Sequence, residues 1–163
     1  MSTMNSVQRR LMGHAALIML IGFAAGVGLL VSAVGGIEVF PGKIIPIALF
    51  GSVPGWTAAH LGGMLNAILM IVVALMLPVL GFSPKTSGYL GVMLIGTGWA
   101  NTLFYWASLA SPNQALTFGA NRFGPASLAA VVGLLPALVF VVVAIVAFVM
   151  IARQAFRPGS REV

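Results

Sequence analysis

The sequence predicts an all-α integral membrane protein, a bundle of four helices in a single transmembrane domain that covers residues 1–163. Sixty per cent of the residues are hydrophobic and only 6% are charged, whereas about 25% of the residues of a soluble domain are charged. The hydrophobic residues form four runs, at about 11–34, 56–80, 87–109 and 126–151. Each run has the roughly 20 residues that a helix needs to cross a bilayer.

The segments between the runs are rich in Gly and Pro and predict connections of very different length. The first run is too long for the hydrophobic region of a signal peptide, so we interpret it as a span of the mature protein. The first connection, residues 35–55, contains three prolines and is long for a membrane loop. The second is a tight turn at 81–85, and the third extends from Ser111 to Pro125.

The positive charges predict the orientation of the bundle. Eight Lys/Arg residues and two acidic residues give a net charge of +6, and the basic residues lie at the ends of the apolar runs. This distribution is typical of membrane topology rather than of nucleic-acid binding, so no nucleic-acid partner is expected. Six basic residues lie on one side (Arg9, Arg10, Lys85, Arg153, Arg157 and Arg161) and two on the other (Lys43 and Arg122). We therefore expect a bacterial inner-membrane protein with both termini in the cytoplasm.

Composition also excludes several functional classes. The sequence contains no cysteine, which excludes disulfides, thiol catalysis, iron–sulfur clusters and covalently attached c-type haem. No Asp or Glu lies within the apolar runs to relay protons or sodium ions. The carboxylate of Glu38 lies in the first connection, where it is expected either to be solvated or to pair with Lys43 or Arg122.

The third run carries a polar stripe. Thr97, Asn101 and Tyr105 are spaced four residues apart, and each such step drifts only about 40° around a helix, so the three lie on one face over about 12 Å. Thr and Asn commonly join membrane helices by hydrogen bonds, and Tyr marks the headgroup level. The alternative is a cavity wall in which the phenol donates a hydrogen bond to a ligand.

The second run contains a candidate metal ligand. His60 lies about one turn inside the span, and the small residues Ala59, Gly62 and Gly63 leave room for a flat group near the backbone. The alternative is a histidine at the interface that is hydrogen-bonded to a carbonyl. Asn66 lies about 120° around the helix and about 9 Å along it. The two side chains therefore face different crevices, and they serve one site only if protomers share it or a large ligand wraps the helix.

The other histidine, His14, lies at the start of the first run beside Arg9 and Arg10 and is expected at headgroup level. Two histidines at such different positions do not favour a haem held by two imidazoles.

The chain resembles the styrene oxide isomerase family along about residues 12–150. The matching runs in the first half are Gly13-His14, Gly26-Val27-Gly28-Leu29, Gly35-Gly36-Ile37-Glu38, Pro41-Gly42, Gly55-Trp56, Ala59-His60 and Leu65-Asn66. Those in the second half are Leu80-Gly81-Phe82, Lys85-Thr86, Gly98-Trp99, Asn101, Phe104-Tyr105, Ser111-Pro112-Asn113, Leu116-Thr117-Phe118-Gly119, Asn121 and Phe123-Gly124-Pro125. The block from Ser111 to Pro125 is the most specific, because loops rarely match by hydropathy alone.

The resemblance implies a trimeric membrane enzyme that binds haem b between subunits and converts aryl epoxides to aldehydes by a Meinwald rearrangement. Carried over by position, His60 would be the axial ligand of the haem iron, and Asn66 and Tyr105 would occupy active-site positions. The family has an Asp where this sequence has Thr97, which offers a hydroxyl but no carboxylate. Asn101, on the same stripe, is a further candidate.

The expected partners are therefore a small hydrophobic epoxide, membrane lipid and two further copies of the chain. Two other interpretations stay open at this point. One is a haem-binding membrane protein without isomerase activity, either a sensor or an electron carrier. The other is a small transporter or lipid-interaction protein that binds no haem.

Overall fold

The computed structural model describes residues 4–157, and within them the chain forms four helices and one two-stranded hairpin. The elements are α1 (Ser6–Val34), β1 (Gly36–Phe40), β2 (Lys43–Pro46), α2 (Val53–Met76), α3 (Pro84–Ala110) and α4 (Leu128–Ala155). The predicted four-helix bundle is confirmed. Arg161, which contributed to the predicted orientation, lies outside the described residues.

The helices do not pack equally. α1, α2 and α3 pack against one another, whereas the backbone of α4 comes close only to that of α3 within residues 4–157. At one end of the bundle, which we call the terminal end, Gln8 Nε2 donates to the carbonyl of Ala74 (3.0 Å) and Gln154 Nε2 donates to that of Leu80 (2.8 Å). These bonds tie the start of α1 to the last turn of α2, and the end of α4 to the α2–α3 turn. The opposite end, which carries β1 and β2, is the hairpin end.

Side-chain caps fix where the helices begin. Asn5 Oδ1 accepts a hydrogen bond from Gln8 N (2.9 Å), and Gln8 Oε1 accepts one from Asn5 N (2.9 Å). This capping box satisfies amide groups that would otherwise have no partner. It also starts α1 five residues before the apolar run predicted from the sequence. Serines cap the other three helices, at positions 52, 83 and 127.

Three of the described helices, α1, α2 and α4, are long and apolar enough to cross a membrane. α3 has 27 residues, about 40 Å of helix, but carries the polar stripe and is not among the three. Large apolar side chains point outward, including Leu20, Val27 and Leu30 of α1 and Val142 of α4. An outward apolar surface of this extent suits the hydrocarbon of a bilayer, so the chain is a membrane protein.

The second span ends earlier than the sequence suggested. The predicted run continued to residue 80, whereas α2 ends at Met76, with Leu77 as its C-cap and a turn through Leu80. Pro78 follows directly, and a proline has no N–H to donate to the carbonyl four residues earlier, so the helical hydrogen-bond pattern stops here. Hydropathy alone missed this end because residues 77–80 are still apolar.

The first connection contains a β-hairpin, which was not predicted from the sequence. β1 and β2 pair antiparallel, with Ile37 opposite Ile45 and Glu38 opposite Ile44. Pro41 and Gly42 form the turn, and the φ of Gly42 is 80°, a value that glycine adopts without steric cost. The backbone N–H of Gly42 donates to Glu38 Oε1 (2.6 Å). The Glu38 carboxylate therefore stabilises the turn rather than pairing with Lys43 or Arg122.

The long third connection is organised by one buried amide. Asn113 is fully buried, and its Nδ2 donates to the carbonyls of Thr117 (2.9 Å) and Gly119 (2.8 Å). Its Oδ1 accepts from Ser111 Oγ (2.7 Å) and from Ala115 N (3.1 Å). Because all these bonds lie within the loop, its shape depends on the identity of this residue.

Candidate functional site

His60 of α2 lies against the backbone of α1. Its Nδ1 is 2.8 Å from the carbonyl oxygen of Gly22, and a Cβ at Gly26 would lie 2.8 Å from the same nitrogen. A side chain at position 26 would therefore push the imidazole away, so Gly26 is part of the seat of the ring. A histidine hydrogen-bonded to a carbonyl is one of the two roles that the sequence allows for His60, and the structure contains this bond.

The bond also assigns the tautomer of the ring. A carbonyl oxygen only accepts, so Nδ1 of His60 carries a proton and donates to Gly22. In a neutral imidazole the lone pair then lies on Nε2, which makes no hydrogen bond within residues 4–157. Metal-ligating histidines usually donate their other ring N–H in this way, which fixes the orientation of the ring and raises its basicity. A carbonyl-bound histidine and a metal ligand are thus compatible roles.

Close contact between α1 and α2 creates the seat of His60. The Cα of Gly22 lies 3.0 Å from where a Cβ would stand on Gly63. Gly22 and Gly26 of α1 have the small-xxx-small spacing that lets membrane helices approach closely, and so do Ala59 and Gly63 of α2. Ala59 and Gly63 were predicted to leave room beside His60, whereas Gly22 and Gly26 were not, although their four-residue spacing is a signal for close helix packing.

His14 has the opposite arrangement. The indole Nε1–H of Trp99 donates to Nδ1 of His14 (3.0 Å), and the two rings meet edge to face with centroids 6.2 Å apart. Because Nδ1 accepts, the neutral ring carries its proton on Nε2. His14 is therefore a hydrogen-bond donor at that nitrogen and offers no lone pair to a metal.

A polar pair joins α2 to α3. Asn101 Nδ2 donates to Asn66 Oδ1 (3.2 Å), so these two candidate residues lie side by side. Nδ2 of Asn66 is buried and has no hydrogen-bond partner within residues 4–157. A buried donor without a partner is costly, and a role in binding a ligand is one of the explanations for such a group. The Nδ2 amide group of Asn66 is thus free to donate a hydrogen bond to a ligand.

Tyr105 lies one turn further along the same face of α3. Its ring covers Gly62 so closely that a Cβ there would overlap the ring carbons Cε2 and Cζ. Gly62 and Asn66 are four residues apart on α2, as Asn101 and Tyr105 are on α3, so they form two matched levels between antiparallel helices. We call these four residues the α2–α3 polar ladder. It contains three of the predicted site residues.

Thr97 is directed elsewhere. Its Oγ1 donates to the carbonyl of Met93 in its own helix (2.8 Å) and lies 3.5 Å from that of Phe140 in α4. The hydroxyl therefore faces the α3–α4 contact and forms no hydrogen bond with Asn101 or Tyr105. The predicted stripe is continuous along the backbone of α3, but its side chains contact two different helices.

The two parts of the candidate site lie on different faces of α2. His60 contacts α1, whereas Asn66 and Gly62 contact α3. This matches the angular separation of His60 and Asn66 in the sequence. Within one chain the imidazole and the polar ladder therefore do not converge on a common point.

A further polar group near the ladder was not predicted. Nε1 of Trp106 is buried without a hydrogen-bond partner within residues 4–157. Its ring packs edge to face on Trp56, with centroids 5.6 Å apart, and Trp56 itself donates to the carbonyl of Phe50 (3.0 Å). No sequence signal distinguishes the unpartnered indole from the partnered one, because both lie at helix ends where tryptophan is common.

These features define a membrane-embedded helical protein with one imidazole available to a metal and a set of unused hydrogen-bond donors on a neighbouring face. The family model described as styrene oxide isomerase matches residues 7–156. A styrene-oxide isomerase of Pseudomonas fluorescens is 42% identical over 160 residues, an alignment that covers 98% of this chain and 95% of the relative. The chain therefore belongs to the styrene oxide isomerase family, and it is an isomerase.

Proposed function

We propose that the chain converts small hydrophobic aryl epoxides of the styrene oxide type to aldehydes by a Meinwald rearrangement that depends on haem b. Family membership supports the epoxide substrate, since the relative from Pseudomonas fluorescens bears the name styrene-oxide isomerase. The observation that carries the haem assignment is the hydrogen bond between His60 Nδ1 and Gly22, because it leaves Nε2 free as a ligand.

The residues present fit a haem better than a metal ion held by the protein alone. Within residues 4–157 no group of three or more His, Cys, Asp or Glu side chains lies close enough together to hold a metal. A porphyrin supplies four ligands of its own, so one imidazole suffices. His60 would hold the haem iron through its free Nε2. Ferric haem with a single imidazole ligand supplies a Lewis acid with one free coordination position.

The polar ladder would orient the substrate. Negative charge builds on the epoxide oxygen as the benzylic C–O bond breaks, and donors placed in advance lower the energy of that state. The phenolic O–H of Tyr105 and the unpartnered Nδ2 of Asn66 are two such donors. Asn101 would act through its bond to Asn66 Oδ1, which fixes the rotation of that amide.

The rearrangement itself needs no general base and no second reactant. As benzylic positive charge develops, the hydrogen on the other epoxide carbon migrates with its electron pair, and formation of the C=O bond gives the aldehyde. Water would divert the cation to a diol. The ladder lies between apolar helices, which favours the dry surroundings that this reaction requires.

Thr97 would modify substrate preference rather than the reaction. The resemblance to the family implies an Asp at this position, and the hydroxyl of Thr97 donates to a carbonyl of its own helix. A carboxylate accepts hydrogen bonds and cannot adopt this arrangement. We therefore expect the preference among aryl epoxides to differ from that of relatives that carry the Asp.

The assembly we propose is a homotrimer with haem between protomers. This proposal is supported by the separation of His60 from the polar ladder within one chain, because His60 faces α1 and the ladder faces α3. A site shared between protomers would bring an imidazole from one chain to a ladder of another. The orientation we propose, with both termini in the cytoplasm of a bacterial inner membrane, rests on the basic residues at the terminal end.

The direct experiment uses the full chain purified in detergent without added haem. We expect a Soret band, and on addition of styrene oxide we expect phenylacetaldehyde with no diol. A protein that shows the Soret band but forms no aldehyde would support haem binding and refute the proposed isomerase activity on this substrate. A colourless protein that still forms the aldehyde would refute the cofactor and retain the reaction.

A further inference from the structure

A cleft opens at the hairpin end, between the start of α2 and the end of α3, and we call it the hairpin-end cleft. Its volume is about 480 Å³, within the roughly 300–1,000 Å³ of cavities that take small molecules. Its lining comes from both helices and from the first and third connections, and includes Ser52, Ala58, Ser108, Leu109, Ser111 and Gln114.

The hairpin-end cleft lies in line with the α2–α3 polar ladder. Ala58 precedes Gly62 by four residues on α2, and Leu109 follows Tyr105 by four residues on α3. Each therefore lies on the ladder face of its helix, one turn closer to the hairpin end. The packing agrees with this register, because a Cβ on Gly55 would lie 3.0 Å from Leu109 Cδ2, whereas one on Gly62 would meet the Tyr105 ring. The inner end of the cleft is thus about 5 Å, one helical turn, from the ladder.

The ring of Tyr105 stands between the cleft and the amide pair of the ladder. Gly62 and Tyr105 form the level of the ladder next to the cleft, and Asn66 and Asn101 form the level beyond it. A molecule that moves from the cleft to Asn66 has to pass the ring. Because the ring packs on a glycine, no side chain of α2 opposes it at this level.

The outer end of the cleft, its mouth, has a defined shape and a polar lining. Gln114 and Ala115 have φ values of 57° and 52°, a left-handed conformation that is uncommon for residues other than glycine. Ser108 Oγ donates to the carbonyl of Gln114 (2.9 Å), and Ala115 N donates to Asn113 Oδ1 (3.1 Å). At the inner end Leu109 is apolar and buried. A passage with a polar mouth and an apolar inner end suits an aryl epoxide, which has one oxygen on an apolar body.

We propose, on the basis of the isomerase function proposed above, that aryl epoxides reach the polar ladder through the hairpin-end cleft and that the Tyr105 ring closes its inner end. Ala58 is the position at which the passage is most simply narrowed, because it is small, exposed and one turn from the ring. The alternative route leads from the hydrocarbon of the bilayer between the helices and does not pass Ala58.

The test attaches a group inside the cleft of the full-length, haem-loaded protein in detergent. The chain contains no cysteine, so a single introduced thiol can be labelled alone. In Ala58→Cys, benzyl methanethiosulfonate attaches a benzylthio group through a disulfide. We expect kcat/KM for styrene oxide to fall about tenfold, within the range over which association rates vary among variants of one binding site. Reduction of the disulfide should restore it.

Ala120→Cys is the matched control. Ala120 is an exposed alanine in the third connection that does not line the cleft, so the same label there should leave the rate unchanged. Haem content should be retained in both labelled variants.

A second measurement reports access without turnover. 4-Phenylimidazole is an aryl ligand of haem iron, and its association is followed by the shift of the Soret band. The label in Ala58→Cys should slow this association as well. A protein that binds haem but forms no aldehyde would refute the isomerase function, and this measurement would still test the cleft.

Ala58→Leu narrows the passage without a label. It should lower kcat/KM more for a biphenyl epoxide than for styrene oxide, with haem content retained, because the larger molecule fits the narrowed passage less well. Full rates in labelled Ala58→Cys by either measurement, or equal losses for the two epoxides in Ala58→Leu, would overturn the proposal and favour entry from the bilayer.

Discussion

The two histidines of the chain are both held at Nδ1, but the direction of the hydrogen bond is reversed. His60 donates from Nδ1 to the carbonyl of Gly22, whereas His14 accepts at Nδ1 from the indole of Trp99. The first bond leaves a lone pair on Nε2 and the second leaves a proton there. One ring is therefore suited to bind a metal, and the other to donate a hydrogen bond. The hydrogen-bond partner of Nδ1, rather than the imidazole itself, determines whether Nε2 carries a lone pair or a proton.

The largest expected effect is the difference between His60→Ala and His14→Ala. We expect His60→Ala to lose the Soret band and with it all measurable isomerase activity, because no second ligand replaces the imidazole. His14→Ala should keep both. Absorption spectra of the two purified variants at equal protein concentration check this, and a full Soret band in His60→Ala would refute the ligand assignment. Size-exclusion profiles that match that of the unaltered protein serve as the folding control.

A smaller change next to His60 should lower the affinity for haem without removing the imidazole ligand. In Gly26→Ala the new Cβ would stand 2.8 Å from Nδ1 of His60, so the ring must turn and its bond to Gly22 must lengthen. Loss of such a supporting contact typically costs 10–100-fold in metal affinity, and we expect an effect of about this size in haem titrations.

Gly13→Ala is the matched control, because a Cβ at Gly13 meets no atom within 4 Å. Alanine favours a helix over glycine by up to about 1 kcal/mol, so this variant should be slightly stabilised with unchanged haem affinity. Equal haem affinity in the two variants would show that the seat of His60 is not needed.

Tyr105→Phe should separate haem binding from turnover. The ring still covers Gly62, so we expect an unchanged Soret band. The lost phenolic donor should lower kcat by about 10²-fold or more, as expected for removal of one oxyanion-type donor. Steady-state rates with styrene oxide measure the effect, and unchanged kcat would assign Tyr105 to packing alone.

The smallest expected effect is that of Trp99→Phe, which removes the donor to His14. One buried hydrogen bond contributes about 1 kcal/mol, so we expect a modest fall in thermal stability and no change in haem content. Haem loss in this variant would contradict the separation of the two histidine sites.

The fold could be predicted largely because apolar runs of bilayer length have few alternatives. The angular separation of His60 and Asn66 also follows from helix geometry alone. What each side chain contacts could not be predicted in the same way. Gly22, 38 residues before His60, becomes its partner only when α1 and α2 pack, and Thr97 faces α4 although its spacing matches that of Asn101. The β-hairpin could not be predicted from apolar runs of bilayer length, because its strands have only five and four residues.

The most direct test of the account removes the imidazole and returns it as a ligand. In His60→Gly, added imidazole should restore the Soret band and aldehyde formation, because its second nitrogen can still donate to the carbonyl of Gly22. 1-Methylimidazole ligates iron equally but has no N–H, so we expect it to bind about tenfold more weakly. Equal rescue by the two ligands would contradict the role of the Gly22 bond, and rescue of His14→Gly instead of His60→Gly would contradict the ligand itself.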